Sequence, residues 1–265
     1  MYDFNRCKLC GETAAAPKYK LKEMTLYACG SCDFHYIDAL DEIPAADLEQ
    51  PQLTAAAIKF IDGKLPENTA QLKTDLQFVK AHASLSGARC LDIGSGAGVF
   101  PSLLQDEEAE VFGIEPQQVF REYAAQKFQL PLRRELADDL YWQSNYLEYF
   151  DLVTLWDTLE HVNFPVETIS AAARLLKPGG QLFLDTPSRD SFFYKASEWS
   201  YYFSSGTKPL LLKTLYSPKP YRHKQIFTTK HLWTLLESAG FSGIERSKLH
   251  RSKNKLVVVA KRAAK

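Results

Sequence analysis

Residues 88–98 read Ala-Arg-Cys-Leu-Asp-Ile-Gly-Ser-Gly-Ala-Gly, an apolar run that ends in an acid and breaks into alternating glycines. Such a loop strips every second Cβ from a turn, so a bulky ligand can rest on bare backbone. Val99, Phe100, Leu103 and Leu104 then take up helical spacing, which points the free N–H groups and positive end of a helix into the same space. The dinucleotide fingerprint wants Gly-x-Gly-x-x-Gly, and Val99 stands where its third glycine belongs. An acid two residues before the first glycine would repel a pyrophosphate but attract the ammonium of an amino-acid moiety. The loop therefore favours S-adenosylmethionine, with Asp92, Gly94, Ser95, Gly96 and Gly98 as its candidate contacts.

A second constellation lies at the N-terminus. Cys7, Cys10, Cys29 and Cys32 form Cys-x-x-Cys, an eighteen-residue gap, and Cys-x-x-Cys, with Gly11 and Gly30 beside the knuckles. Two such pairs read as a tetrahedral structural zinc site. Disulfides are the alternative, and an oxidising compartment would be needed for them. A segment of about 40 residues buries too little surface to fold alone, so a metal would supply its stability. Cys90 sits within the first strand of the main domain and reads as a core thiol.

The elements that must position these groups follow along the chain. The cysteine module spans residues 1–41, and residues 42–82 read as a connector passing Pro44 and Pro51 into helices. Ile58, Ile61, Leu72, Leu76 and Val79 carry the helical period, with Gly63 and Pro66 predicting a split into two helices. Residues 83–265 then alternate strand and helix to about Pro187, the pattern of a doubly wound α/β sheet.

In this order the chain resembles the class I S-adenosylmethionine-dependent methyltransferases over roughly residues 52–262. Val111–Pro116 looks like their second strand, ending in an acid, Glu115, suited to both ribose hydroxyls, with Pro116 following. Phe150–Val162 looks like the fourth strand and its turn, which implies Trp156 and Asp157 beside the cofactor. Leu175–Pro187 looks like a helix end, a Pro-Gly-Gly turn and the fifth strand. His231–Phe241 looks like the last helix with Gly240 at its C-terminus. The resemblance implies a seven-stranded, Rossmann-like α/β methyltransferase sheet with a small N-terminal zinc ribbon. It also implies an acid near the adenine amino group. Asp138 is favoured over Glu135 and Asp139, and solvated helix-start acids are the alternative.

Two histidines are candidates for chemistry. His161 follows Glu160 beyond the fourth strand, either as a structural cap or, with Asp157 and Glu160, as a divalent-metal set of the kind the resemblance to ubiquinone-pathway O-methyltransferases implies. Asp157 is shorter than the glutamate those enzymes carry. In the ribbon, His35 could replace a cysteine ligand, although four cysteines already suffice. His223 closes an insertion, residues 188–226, that is rich in aromatics and bases, including Phe192, Tyr194, Trp199, Tyr202, Lys195, Lys208 and Arg222. An insertion after the fifth strand would hang over the C-terminal strand ends, where open α/β sheets bind ligands. It is expected to form an acceptor lid, with His223 as general base or as a loop histidine. Packing alone, or stacking on single-stranded nucleic acid, are the alternatives.

Composition narrows the field. The 265 residues carry 32 Lys and Arg against 32 Asp and Glu, which gives no general attraction to nucleic acid or anionic membrane. No apolar run approaches the roughly 20 residues of a membrane span, and the N-terminus has no signal-peptide core. The sequence thus predicts a cytoplasmic methyltransferase of a small-molecule acceptor, O-directed, on a sugar or other biosynthetic intermediate. RNA base methylation and a non-catalytic, cofactor-binding scaffold are the alternatives.

Overall fold

The computed structural model describes residues 2–42, 52–206, 212–250 and 254–264, except for the side chain of Lys213. Pro44, Pro51 and Lys208 lie outside them. Two sheets organise the chain. The larger is built on β4 (Arg89–Ile93), a run buried from Cys90 onward, as expected of a strand covered on both faces. It pairs in parallel with β5 (Glu110–Ile114) on one side and β6 (Phe150–Leu155) on the other; β6 in turn pairs with β7 (Leu176–Pro187). The order β5-β4-β6-β7-β10-β9 is completed by the antiparallel β9 (Phe241–Arg246) and β10 (Lys255–Arg262).

Helices cover both faces. On one, α1 (Ala55–Lys80) and α2 (Val99–Gln105) bring Leu76, Phe78, Val79, Phe100 and Leu104 onto Cys90, Leu152, Phe183 and Val257. On the other, α5 (Pro165–Leu175) and α8 (Thr229–Ser238) bring Ile169, Ala172, Leu232 and Leu236 onto Leu91, Val153, Leu182 and Val258. The remaining helices are α3 (Gln118–Phe128) and α4 (Leu140–Asn145), and, in the insertion, α6 (Phe192–Phe203) and α7 (Leu212–Leu215).

The sheet corrects the expected strand count: six strands are present among the described residues. Where a seventh was expected, beyond β5, only Arg133 pairs, bridging to Ile114. Its N–H donates to the Gly113 carbonyl at 2.8 Å and its carbonyl accepts from Glu115 N at 2.8 Å. Pro131, two residues earlier, has no N–H to extend the ladder.

A second correction concerns α1, which runs unbroken through Gly63 and Pro66. Asp62, Gly63, Lys64, Pro66 and Glu67 all face solvent. Water can meet the Asp62 carbonyl that proline leaves without a donor, so the helix tolerates what a buried one would not.

The smaller sheet has the order β1 (Ala15–Lys20), β2 (Thr25–Cys29), β3 (His35–Ile37) and β8 (Gln225–Ile226). Its last strand comes from the end of the insertion, with His35 opposite Ile226 and Tyr36 opposite Gln225. Tyr194, Leu212 and Tyr216 of the insertion bury against Met24, Leu26 and Ile37 of the cysteine module. These side chains of the insertion cover the small sheet, while Phe192, Phe193, Trp199, Tyr202 and Phe203 are exposed. No helix among the described residues is long and apolar enough to cross a membrane.

Candidate functional site

A cavity of about 490 Å³ opens at the C-terminal ends of β4, β5 and β6. One half of its lining comes from the glycine loop and the end of β5, through Gly94, Gly96, Glu115 and Pro116, together with Asp138. The other comes from the turn after β6 and its surroundings, through Asp157, His161, Phe164, Tyr221 and Asp41.

The glycines divide their work. A Cβ on Gly94 would collide with the Thr158 side chain, and one on Gly98 with Ala124, so these two permit close packing of neighbouring elements. Gly96, at φ +51°, has open space where its Cβ would stand and is the bare backbone facing the cavity. Asp92 is sequestered beneath the loop. Its carboxylate accepts from Thr154 Oγ1 at 2.5 Å, its carbonyl accepts from Ser95 Oγ at 2.9 Å, and burial pushes its pKa up to about 6. Direct contact between Asp92 and a ligand's ammonium, as the sequence predicts, is not what the geometry shows, since Asp92 does not line the cavity. Ser95 and Gly98 likewise shape the loop from behind.

Glu115 is buried, and both carboxylate oxygens accept backbone N–H groups, Oε2 from Gly96 and Oε1 from Gln117, each at 2.8 Å. Burial raises its pKa to about 7, against the lowering effect of those two donors. Each oxygen keeps a lone pair for a further donor. The three candidate acids near position 138 separate cleanly. Glu135 is paired with Arg133, at 3.0 Å on each oxygen, and Asp139 caps α4 by accepting from Tyr141 N at 2.8 Å. Asp138 is the one that lines the cavity.

Trp156 is a correction. Its ring is buried on the α1/α2 side of the sheet, edge-on to Phe100 at 5.3 Å between centroids, and does not line the cavity. Residues of a strand alternate between faces, and the last turn of β6 sends Trp156 away from the site. Asp157 does line it, in a left-handed backbone conformation (φ 45°). Its N–H donates to Asp185 Oδ1 at 2.5 Å, and Lys255 Nζ bonds both carboxylates. Asp157 is thereby committed to Lys255 and stands apart from the metal set predicted with Glu160 and His161.

His223 takes its place. Glu160, His161 and His223 bring one ligand atom each to within 4.8 Å of one another. The His161 and His223 rings lie 4.8 Å apart, and each has an Nε2 3.9 Å from Glu160 Oε1. Glu160 is fully buried, with neither carboxylate oxygen hydrogen-bonded, and His161 Nδ1 is likewise buried without a partner. Burial, with the nearby Asp157 and Asp185, pushes Glu160 well above the usual carboxylate range. Burial and then His223 lower His161 to about 4, and burial lowers His223. Of the two histidines, His161 lines the cavity and His223 lies tilted behind it, its Nδ1 at 3.0 Å from the Leu215 carbonyl. Among its described residues, the insertion reaches the cavity wall only through Tyr221.

The four cysteines converge as expected. Sγ atoms of Cys7 and Cys32 are 3.7 Å apart and those of Cys10 and Cys29 3.6 Å, with all four within 4.8 Å. A tetrahedron with Zn–S bonds of about 2.3 Å has edges of about 3.8 Å, so the cluster has the size of a zinc site. His35 is not part of it. Its ring nitrogens meet Tyr194 Oη at 2.8 Å, and Lys18 Nζ and Asp33 Oδ1 at 3.1 and 3.2 Å. Sequence reasoning missed Asp41, Asn163 and Gln225 near the cavity and read Lys224 only as one of the lid's bases, because the contacts that bring them there join residues more than 60 positions apart and leave no local pattern.

Comparison with known proteins agrees with this fold. Residues 64–246 match the family model described as a methyltransferase domain. A protein named ubiquinone biosynthesis O-methyltransferase from Methylococcus capsulatus is 32% identical over 132 residues, 48% of this chain and 55% of that protein. Its namesake from Xanthomonas oryzae pv. oryzae is 39% identical over 119 residues, 43% and 49% of the two chains. The chain spans about half the length of the curated relatives it matches. Among solved structures, magnesium protoporphyrin IX methyltransferase from Synechocystis PCC 6803, with bound SAH, superposes with a TM-score of 0.54. It is 16% identical, over 81% of this chain and 90% of that one. A possible histamine N-methyltransferase from Thermotoga maritima gives 0.53 at 20% identity, over 77% and 96%. At these identities the structural likeness speaks for the fold alone.

Proposed function

Because this chain belongs to the family of methyltransferase domains, we propose that it transfers a methyl group from S-adenosylmethionine to an oxygen of a small, phosphate-free acceptor. The observation that carries this reading is the shared cavity, with Gly96, Glu115 and Asp138 at one end and His161, backed by Glu160 and His223, at the other. Glu115 binds the ribose hydroxyls through its remaining lone pairs, Asp138 meets the adenine amino group, and Asp92 holds the glycine loop from below. His161, neutral at pH 7, takes the acceptor's proton while the methyl group is displaced in line from sulfur. The His223 ring packs against that imidazole, and the Glu160 carboxylate lies 3.9 Å from its Nε2. O-methylation is the reaction in the names of the curated relatives.

The cavity's charge supports the acceptor class. Asp41, Glu115, Asp138 and Asp157 line it, Asp41 and Asp157 being paired from behind with Lys224 and Lys255, and no Lys or Arg lines it among the described residues. Such a wall suits a sulfonium and repels phosphate, which weighs against RNA and nucleotide-linked sugars as acceptors. Calorimetry with S-adenosylmethionine, followed by turnover on hydroxylated rings and their phosphorylated counterparts, tests the reading. Binding with turnover of the unphosphorylated compound is expected; turnover confined to phosphorylated ones would refute it.

A second reading is favoured by the unpartnered oxygens of Glu160 and Nδ1 of His161. One carboxylate and two imidazoles suit a divalent transition metal, which would supply a Lewis acid beside the acceptor oxygen. Titration with Mn²⁺ or Zn²⁺ decides it, with binding that disappears in Glu160→Gln as the supporting result. For the N-terminal module we propose a structural zinc ribbon held by Cys7, Cys10, Cys29 and Cys32.

A further inference from the structure

We propose that the four-cysteine module is a wall of the acceptor site rather than a separate appendage. In this scheme Lys224 and Gln225 are the positioning residues through which it holds the turn that carries His161. The proposal rests on the methyltransfer reading only in naming that cavity end the acceptor site.

The connections are continuous. Strand β3, three residues past Cys32, pairs with Gln225 and Ile226, and Ile37 N donates to the Lys224 carbonyl at 2.9 Å. From the same two residues, bonds run onward to the catalytic turn. Lys224 N donates to the Glu160 carbonyl at 2.8 Å, and Gln225 Nε2 donates to the carbonyls of Leu159 (3.0 Å) and Val162 (2.6 Å). Three carbonyls of the segment bearing Glu160 and His161 are thus held by two residues that are themselves the edge of the ribbon sheet. Both are fully buried, where a lost donor is costly.

A second line of contact runs through Asp41, at the end of the module and on the cavity wall. Its carboxylate meets Lys224 Nζ at 2.8 Å and Tyr221 N at 2.7 Å, and its backbone exchanges two 2.8 Å bonds with the Asn163 side chain. Two further ties fix the module to the domain. His231 Nε2, at the start of α8, lies 2.8 Å from the Cys32 carbonyl, and Arg189, at the head of the insertion, pairs with Asp33. At the cofactor end Glu115 accepts instead from Gly96 and Gln117, and that end meets the held turn where Gly94 packs on Thr158. Disturbing the module should therefore act first on the acceptor half.

The test uses the whole chain, first with its metal content measured, then after chelation and after zinc is restored. Amide hydrogen exchange is followed alongside calorimetry of S-adenosylmethionine. Chelation is expected to speed exchange at Ile37, Lys224 and His161 as well as within residues 7–32, reversibly, with cofactor affinity unchanged. Faster exchange confined to residues 7–32 would overturn the proposal. Gln225→Ala, which leaves every cysteine in place, should keep the metal and the KM for cofactor. It should speed exchange at Leu159–Val162 and lower kcat by about 10- to 100-fold, the range for a misplaced catalytic group. Unchanged exchange and kcat in this variant would also overturn it. A chain that never binds zinc would refute the metal reading, while the Gln225→Ala arm would still decide the coupling.

Discussion

Glu115 shows how one residue's environment writes a measurable signature. Burial raises its pKa from 4.5 to about 7, yet only the carboxylate can accept both ribose hydroxyls. Cofactor affinity should therefore rise with pH through the interval below about 7, and binding should release a proton there, seen as a buffer-dependent calorimetric enthalpy. Glu115→Gln should remove the release and weaken binding by about 1.5–3 kcal/mol, the range for hydrogen bonds to a charged group. Affinity that is flat with pH and free of proton release would count against Glu115 as the ribose contact. The sign for stability is opposite. Asp92 and Glu115 have raised pKa values when folded, so their contribution is fully present below about pH 4 and is lost as pH rises through 6 and 7. Without cofactor these two groups lower the melting temperature across that window, and the shift produced by cofactor should grow. His161→Ala should cut turnover by about 100-fold or more, as for a general base. His223→Ala removes a neighbour that holds the His161 pKa down, so the acidic limb of the kcat profile should move to higher pH. That Gly96, Glu115 and Asp138 line the cavity was legible from residue type and order along the chain. The placement of Asp92 and Trp156 was not. Asp92 is taken up by Thr154 and Trp156 packs on Phe100, partners that lie far from them along the chain.

At the scale of elements, periodicity and turn chemistry carried most of the main domain. The buried run of β4, the helix that follows the glycine loop and the Gly240 end of α8 all follow from local pattern. Two misreadings each turn on a proline and its setting. Pro66 fails to break α1 because the freed carbonyl faces water, and the strand beyond β5 shrinks to Arg133 because Pro131 cannot pair. Replacing Pro66 with Ala should stabilise the fold, by up to about 3 kcal/mol if the proline in this exposed turn carries the full helix-interior penalty, without changing turnover. A lower melting temperature for Pro66→Ala would show that the ring's shape is needed there. The insertion was legible as aromatic and basic, but not in its direction. Tyr194 and Tyr216 turn to the ribbon because Met24, Leu26 and Ile37 offer the apolar surface they cover.

The whole molecule is two sheets sharing one site, since the N-terminal module and residues 225–226 form a single ladder. Nothing local could announce that pairing, because its partners are 189 and 191 positions apart. Purified protein should hold one zinc ion per chain, as four thiolates at tetrahedral spacing require. Cys29→Ser/Cys32→Ser should lose it and, through Gln225, lose acceptor turnover before cofactor affinity. A zinc-free, disulfide-linked N-terminus would contradict this. The central claim, methyl transfer to oxygen with His161 as proton acceptor, is tested most directly by one experiment. S-adenosylmethionine carrying a ¹³C-labelled methyl group is incubated with the protein and an unphosphorylated hydroxylated ring, and the product is read by NMR. Wild-type protein should yield a methyl ether. The His161→Ala protein should bind cofactor as wild type does, yet form the ether about 100-fold more slowly. A label found on nitrogen or carbon, or an ether formed equally fast without His161, would contradict the account.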